Sequence, residues 1–135
     1  MIVQHEITLQ GYKRGYHLIT RLIEDSIAQL PEKGLMNIMV KHTSAGITLN
    51  ENADPSVRSD FSTFIDKLIP ENFPYQHDTE GSDDMPAHLK ASIIGQSITI
   101  PITDFRLNLG TWQGIYFCEF RNYGGTRKLV ITIYS

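Results

Sequence analysis

From Ser97 to Tyr134 the chain reads as strands throughout, and this run constrains the fold more than any other feature. "SITIPI", "GIYFCEF" and "KLVITIY" are rich in β-branched and aromatic residues, and "DFRLNLG" forms a possible hairpin between the first two. Helical signals fall earlier in the chain. That order is not the strict βαβα alternation of a parallel doubly wound fold. The expectation is an α+β domain: a mostly antiparallel sheet or β-sandwich with about three helices on its flanks.

The earlier segments fill in the outline. Ile2 to Leu9 is a first strand, and "GYKRGYH" turns into a helix from about Leu18. Its apolar positions Leu18, Ile19, Leu22, Ile23, Ile27 and Leu30 follow helical spacing until Pro31 and Gly34 stop it. Leu35 to Lys41 is a strand, with "ITLNEN" as its neighbour after a "TSAG" turn. In "NADPSVRSDFSTFIDKLIP", Asp54 suits a cap and Pro55 the first helical position. Val57, Phe61, Phe64, Ile65 and Leu68 form one apolar stripe, and Pro70 ends the helix. A third helix runs from about Met85 to Ile94, with Gly95 as an αL cap.

At 135 residues the chain is most simply one domain, 1–135, able to bury roughly two-thirds of its unfolded surface. The net charge of −3 argues against nucleic-acid partners, which need a basic face. No apolar run approaches the ~20 residues of a membrane span. Cys118 stands alone inside a strand-like run and reads as a small buried apolar residue. With no basic-then-apolar leader at the N-terminus, a cytoplasmic setting is expected. Neither GxGxxG nor a P-loop is present.

Chemistry concentrates in three patches. "KHTSAGITLNEN" brings His42, Thr43 and Ser44 to the end of a strand; the two hydroxyls and the amides around Gly46 suit either a phosphate nest or a self-satisfying turn. His77 lies in a loop and His88 in the first turns of the third helix, four residues after Asp84 and so on its face. Imidazoles of His42, His77 and His88 converging from three elements would make an open metal site. The same residues serve equally as polar loop positions with Asp84 as an N-cap. His5 and His17 lie in no such setting and read as surface or capping residues. In "NLGTWQG", Trp112 is either a stacking wall beside Gln113 or a core anchor. In "CEFRNYGG", Glu119 and Arg121 share one strand face, as a solvated ion pair or with Arg121 as a forked phosphate donor.

Three segments in order, "HTSAGITLNENADPSVRSDF", "EGSDDMPAHLKASIIGQSITIPI" and "LNLGTWQGIYFCEFRNYGG", resemble the YjbQ family, also called the secondary thiamine-phosphate synthase family. The likeness covers some two-thirds of the chain, from about His42 onward. It implies a β-sandwich-based homotrimer with weak thiamine-phosphate synthase activity, joining a pyrimidine-methyl diphosphate to a thiazole phosphate with loss of diphosphate. It also implies a set of polar positions: His42, Thr43, Ser44 and Asn50; His77, Glu80, Gly81 and His88; Gly110, Thr111, Trp112, Gln113, Glu119 and Arg121.

On this reading His42, His77 and His88 hold one divalent ion of the zinc or magnesium class. Thr43, Ser44, Asn50, Gly110, Thr111, Trp112 and Arg121 contact a small phosphorylated metabolite. His88, Glu119 and Gln113 act in catalysis, with Glu119 as proton acceptor. Many relatives carry an asparagine where this chain has Asp84, and often "DGPR" where it has "RNYGG". A carboxylate at position 84 either ligates the ion or orients His88. The alternatives are a non-catalytic metal or phospho-metabolite sensor, and a different phosphotransfer or hydrolytic enzyme using the same pocket.

Overall fold

The sandwich expected from the sequence forms, but its layers are unequal. A computed structural model describes residues 1–135. Strands β1 (Ile2–Leu9), β3 (Lys33–Val40), β5 (Ser97–Thr103), β6 (Arg106–Leu107) and β8 (Arg127–Tyr134) form one sheet in the order β1-β8-β3-β5-β6. Strands β2 (Gly15–Leu18), β4 (Ala45–Glu51) and β7 (Gln113–Glu119) form the other, in the order β2-β7-β4. Every pairing is antiparallel. Helices α1 (Thr20–Ser26), α2 (Pro55–Leu68) and α3 (Asp84–Ile94) complete the α+β fold.

Alternation along the strands builds the main core. Met36, Ile38 and Val40 of β3 and Leu129, Ile131 and Ile133 of β8 face Ala45 and Ile47 of β4 and Ile115 and Phe117 of β7. Fully burying each large side chain is worth about 1.5–3 kcal/mol, so this layer dominates stability. The other face of β7 is covered too: Tyr116 and Cys118 pack with Tyr16, Ile65, Ile69, Ala87, Ala91 and Phe120 beneath α2 and α3. Strand β7 is thus buried on both sides. Burial also raises the Cys118 thiol well above its ordinary range and keeps it a neutral packing residue, as expected.

Several local expectations shift. Helix α1 is seven residues long, shorter than the apolar spacing suggests. Leu18 pairs with Tyr116, and the Ile19 amide donates to the Ile115 carbonyl at 2.9 Å, so sheet pairing takes the residues that would have extended the helix. Gly34 lies inside β3, where a Cβ would collide with the carbonyl oxygen of Tyr134 on the neighbouring strand. Helix α2 keeps its expected cap, with the Ser56 amide donating to Asp54 at 2.9 Å. Its apolar stripe is only partly used: Ile65 is buried, whereas Phe64 and Leu68 are exposed. Gly95 follows α3 with φ 106 and ψ 158, an extended positive-φ form rather than the αL cap. Its carbonyl accepts from Ile47 of β4.

The largest correction concerns the turn between β3 and β4, which are not neighbours. β3 pairs with β5 and β8, while β4 pairs with β7. "KHTS" is the corner where the chain leaves one sheet for the other, and this places it against the start of α3.

Candidate functional site

The first turn of α3 and the loop before it gather the charged groups of the site. Asp84 opens the helix and His88 lies one turn on, so their side chains meet on one face. Asp84 Oδ2 is 3.2 Å from His88 Nε2 and 2.8 Å from His77 Nε2, and Glu80 Oε2 is 3.1 Å from that same His77 nitrogen. Gly81, at φ 104, lets the loop turn back to deliver His77. The ligand atoms of His77, Asp84 and His88 all lie within 4.8 Å of one another.

Asp84 is held in place from its other side. Its Oδ1 accepts from Arg121 Nη1 at 2.6 Å, while Arg121 Nε donates to Asp83 Oδ2 at 2.9 Å and Nη2 to the Glu80 carbonyl at 2.9 Å. The planar fork thereby fixes both carboxylates and the loop in one plane. Burial alone would raise the Asp84 carboxyl, but its hydrogen bond with His77 and the charges of His88 and Arg121 outweigh that and hold it below the usual carboxylate range. Asp83 behaves likewise: burial is outweighed by the Asn122 amide and by Arg121.

The protonation of His88 decides what this arrangement can do. Its Nδ1 lies 3.0 Å from the Thr43 carbonyl, which only accepts, so Nδ1 carries a hydrogen. In the neutral ring Nε2 is then a bare lone pair facing an anionic acceptor, Asp84 Oδ2. Two acceptors opposed at 3.2 Å need a cation, a proton or a metal ion, between them. A histidine oriented through its other nitrogen by a backbone carbonyl is the usual support of a metal ligand. Glu80, Asp83 and Asp84 against Arg121 also leave the cluster two negative charges in excess.

His42 does not join it. Its Nε2 accepts from the Lys128 amide at 2.8 Å, and its carbonyl accepts from the Gln96 side chain. Burial and the nearby Arg127 lower its pKa and keep it neutral. The expected three-histidine set is therefore corrected: Asp84 takes the place assigned to His42, which ties the sheet corner to β8. Nor is Asp84 a cap, since it stands inside the helix and its carboxylate serves the histidines and Arg121.

Glu119 and Arg121 are not a pair. Glu119 is fully buried, its two oxygens bound to Arg127 Nε at 2.8 Å and Nη2 at 2.5 Å, and is unavailable as a proton acceptor. Arg127 also donates to Ser44 Oγ at 3.1 Å, which occupies the hydroxyl expected in a phosphate nest. Of that turn, Thr43 contributes its carbonyl to His88.

Trp112, Gln113, Gly110, Thr111 and Asn50 lie elsewhere. Ala45 of β4 pairs with Glu119 of β7 and Glu51 with Gln113, so these residues sit at the opposite end of the three-stranded sheet, about 20 Å away at six residues of extended strand. Trp112 is 64% exposed there, and Gln113 Oε1 accepts from the Gly110 amide at 2.8 Å. Sequence reasoning missed Asp83 and Arg127. The Asp-Asp pair at the start of a helix was a readable hint for the first; the second has no local signal.

Comparison with known proteins agrees with this architecture. The family model described as "UPF0047 protein YjbQ-like" matches residues 5–135. UPF0047 protein YjbQ of Salmonella typhimurium is 49% identical over 135 residues, covering 98% of each chain, and that of Escherichia coli O157:H7 is 44% identical with the same coverage. A crystal structure of an uncharacterized conserved protein of this family from Clostridium acetobutylicum superposes with a TM-score of 0.82 at 38% identity, covering 96% of this chain and 99% of the other. With one family model spanning nearly the whole chain and full-length relatives at this identity, the protein belongs to the YjbQ (UPF0047) family.

Proposed function

We propose that this protein is a small metabolic enzyme whose divalent ion is held by His77, Asp84 and His88 and whose substrate is a small phosphorylated metabolite. Thiamine-phosphate synthesis is the reaction to assay first. The observation that carries the reading is the opposition of His88 Nε2 and Asp84 Oδ2, with His88 Nδ1 already committed to the Thr43 carbonyl. Two imidazoles and one carboxylate are the donor set of a catalytic zinc-type site, three protein ligands with an open position. Magnesium, which prefers oxygen ligands, fits less well. The excess negative charge supports a dication and disfavours a phosphate bound there without one.

When bound, such an ion polarises a phosphoryl oxygen or stabilises a departing diphosphate. The chain's own residues do the positioning: Thr43 fixes the His88 ring, and Arg121 fixes Asp84 and the loop bearing His77. In the transfer, the thiazole nitrogen's lone pair forms the new bond to the pyrimidine methylene carbon. The carbon–oxygen bond to diphosphate breaks, and its electron pair leaves with the diphosphate. No substrate proton moves, so the reaction asks for no general base and Glu119 can remain in its ion pair. A homotrimer belongs to this reading as the arrangement that would bring Trp112, Gln113 and Asn50 of one copy toward the histidines of the next.

The test is turnover with and without metal. Wild-type protein should lose activity on chelation and regain it with zinc, while His88→Ala should be inactive in both states with an unchanged circular dichroism spectrum. Turnover that survives chelation would sink the reading. Tight zinc binding with no conversion of any phosphorylated substrate would favour a sensor instead.

A further inference from the structure

Helix α2 carries more apolar surface than its own core uses. One side of it is seated: Ile65 is buried, and the Phe61 ring lies against Tyr16 and Tyr116 at centroid distances of 5.4 and 6.0 Å. A second side is not. Phe64 is 62% exposed, Leu68 is 56% exposed, and Val57 is only half-buried. A surface helix ordinarily turns its one apolar stripe to the core. Here the stripe continues round the helix into solvent, over a shallow groove of about 430 Å³ lined by Val57, Asp60, Phe61, Phe64 and Ile65.

The spacing of the open stripe indicates what covers it. Val57, Phe61, Phe64 and Leu68 follow one another at intervals of four, three and four residues, the repeat with which one helix packs along another. In that repeat Val57 and Phe64 are d positions, Phe61 and Leu68 are a positions, and Asp60 and Lys67 are both g positions on the solvent side. Asp60 and Lys67 are exposed, and neither forms an ion pair within the chain. Charges at g select a partner helix and its direction. An antiparallel neighbour sets g against g, whereas a parallel one sets g against e, here Asp60 against Ile65.

The helix that satisfies both the stripe and its flanking charges is α2 itself, reversed. We infer that this face of α2 is a self-association surface, on which α2 of a second copy docks antiparallel about a twofold axis. Phe61 then meets Phe64 of the second copy and Val57 meets its Leu68. Asp60 meets Lys67 of the second copy, and the same ion pair forms again on the other side of the axis, as a twofold contact requires. Fourteen residues of helix span about 21 Å. One such face is smaller than the ~800 Å² per partner of a standard interface, so the contact by itself is weak and depends on concentration. It involves no residue of the metal cluster, and it doubles the mass of whatever species the other faces of the chain form.

Sedimentation velocity of the full-length protein over a concentration series tests the inference. Wild-type mass should double as concentration rises, starting from the species present at the dilute end. Phe64→Ser combined with Leu68→Ser should abolish the doubling; both side chains are exposed, so the circular dichroism spectrum should not change. Asp60→Lys and Lys67→Glu, each alone, set like charges opposite one another at two places. Each should weaken association about fivefold at low salt, and the two together should restore it. A mass that stays constant over the series overturns the inference, as does a doubling that survives the serine pair. Single charge variants that associate as wild type does overturn it as well, because only the antiparallel pairing brings Asp60 and Lys67 together.

Discussion

The two ends of the three-stranded sheet share strands β4 and β7 yet differ in almost every physical respect. At one end Glu119 and Arg127 form a buried ion pair that also binds Ser44, Arg121 pairs with Asp83 and Asp84, and the Thr43 carbonyl holds His88. At the other, Asn50, Trp112 and Gln113 lie open to solvent, with Asn50 Oδ1 taking the adjacent Glu51 amide and Gln113 Oε1 the Gly110 amide. The first end is rigid because its charges cannot separate without leaving one unpaired in the interior. The second has nothing comparable to hold a side chain in a fixed direction. A reacting centre needs the first kind of support; a surface that meets a partner or closes over a ligand can use the second.

The sharpest way to break the comparison is to remove Arg127. Arg127→Met leaves Glu119, with no exposure at all, as an uncompensated buried charge, and such losses cost about 3–5 kcal/mol. Denaturant unfolding should show a large drop in midpoint. A drop as small as that of a surface variant would mean that Glu119 is solvated or protonated and that the rigid end is not built on this pair.

Next in size is the effect on the proposed ion. Asp84→Asn removes the anionic oxygen that both imidazoles face, and zinc affinity measured by competition with a chromophoric chelator should fall by more than about 100-fold. His42→Ala should leave that affinity within a fewfold of wild type, because its Nε2 is engaged by Lys128 rather than by the cluster. The reverse ranking would restore His42 as the ligand.

That ranking shows what was legible in the sequence. Asp84 and His88 could be seen as partners because four residues on a helix place two side chains on one face, a local rule. The Asp54–Pro55 start of α2 and the late antiparallel strands were readable for the same reason. His42 could not be judged, since what occupies it is a backbone amide of a strand 86 residues away. Glu119 and Arg121 looked paired because alternation puts them on one face, but Arg127 and the Asp83–Asp84 turn compete for them, and no local pattern reveals that. Trp112 was grouped with the histidines from its place in a motif. Register alone decides which end of a strand a residue occupies, and the register of β4 against β7 separates the two groups.

pH should act on the charged end in two separate windows. His42 has a lowered pKa in the folded chain, so below its ordinary 6.5 the unfolded chain binds the extra proton first. Stability contributed by this group is complete above 6.5 and is lost as pH falls toward the folded value. Protonation also ends the acceptance of the Lys128 amide. Urea midpoints of wild type should therefore fall between pH 7.5 and 5.5 by more than those of His42→Gln, which retains an acceptor but does not titrate. Asp83 and Asp84, lowered from 3.8, act in a separate window: their contribution is present above 3.8 and is lost only as pH drops through their folded values. Equal midpoint shifts in wild type and His42→Gln would show that some other group titrates at the corner.

The smallest effect belongs to the open end, and it separates the two ends most directly. Trp112 is more than half exposed and has no role in either core cluster, so Trp112→Ala should change stability by no more than about 0.5 kcal/mol. Zinc affinity should also be unchanged, since about 20 Å of strand separates the indole from the histidines. Turnover is the discriminating readout. If copies of the chain assemble so that one subunit's tryptophan faces another's metal cluster, activity falls in Trp112→Ala while stability and metal content hold. Wild-type activity in this variant would leave the open end outside the reaction, with the catalytic apparatus confined to the charged end of one chain. Mixing Trp112→Ala with His88→Ala protein then sharpens the result, because a shared site regains part of its activity in mixed oligomers and a self-contained one does not.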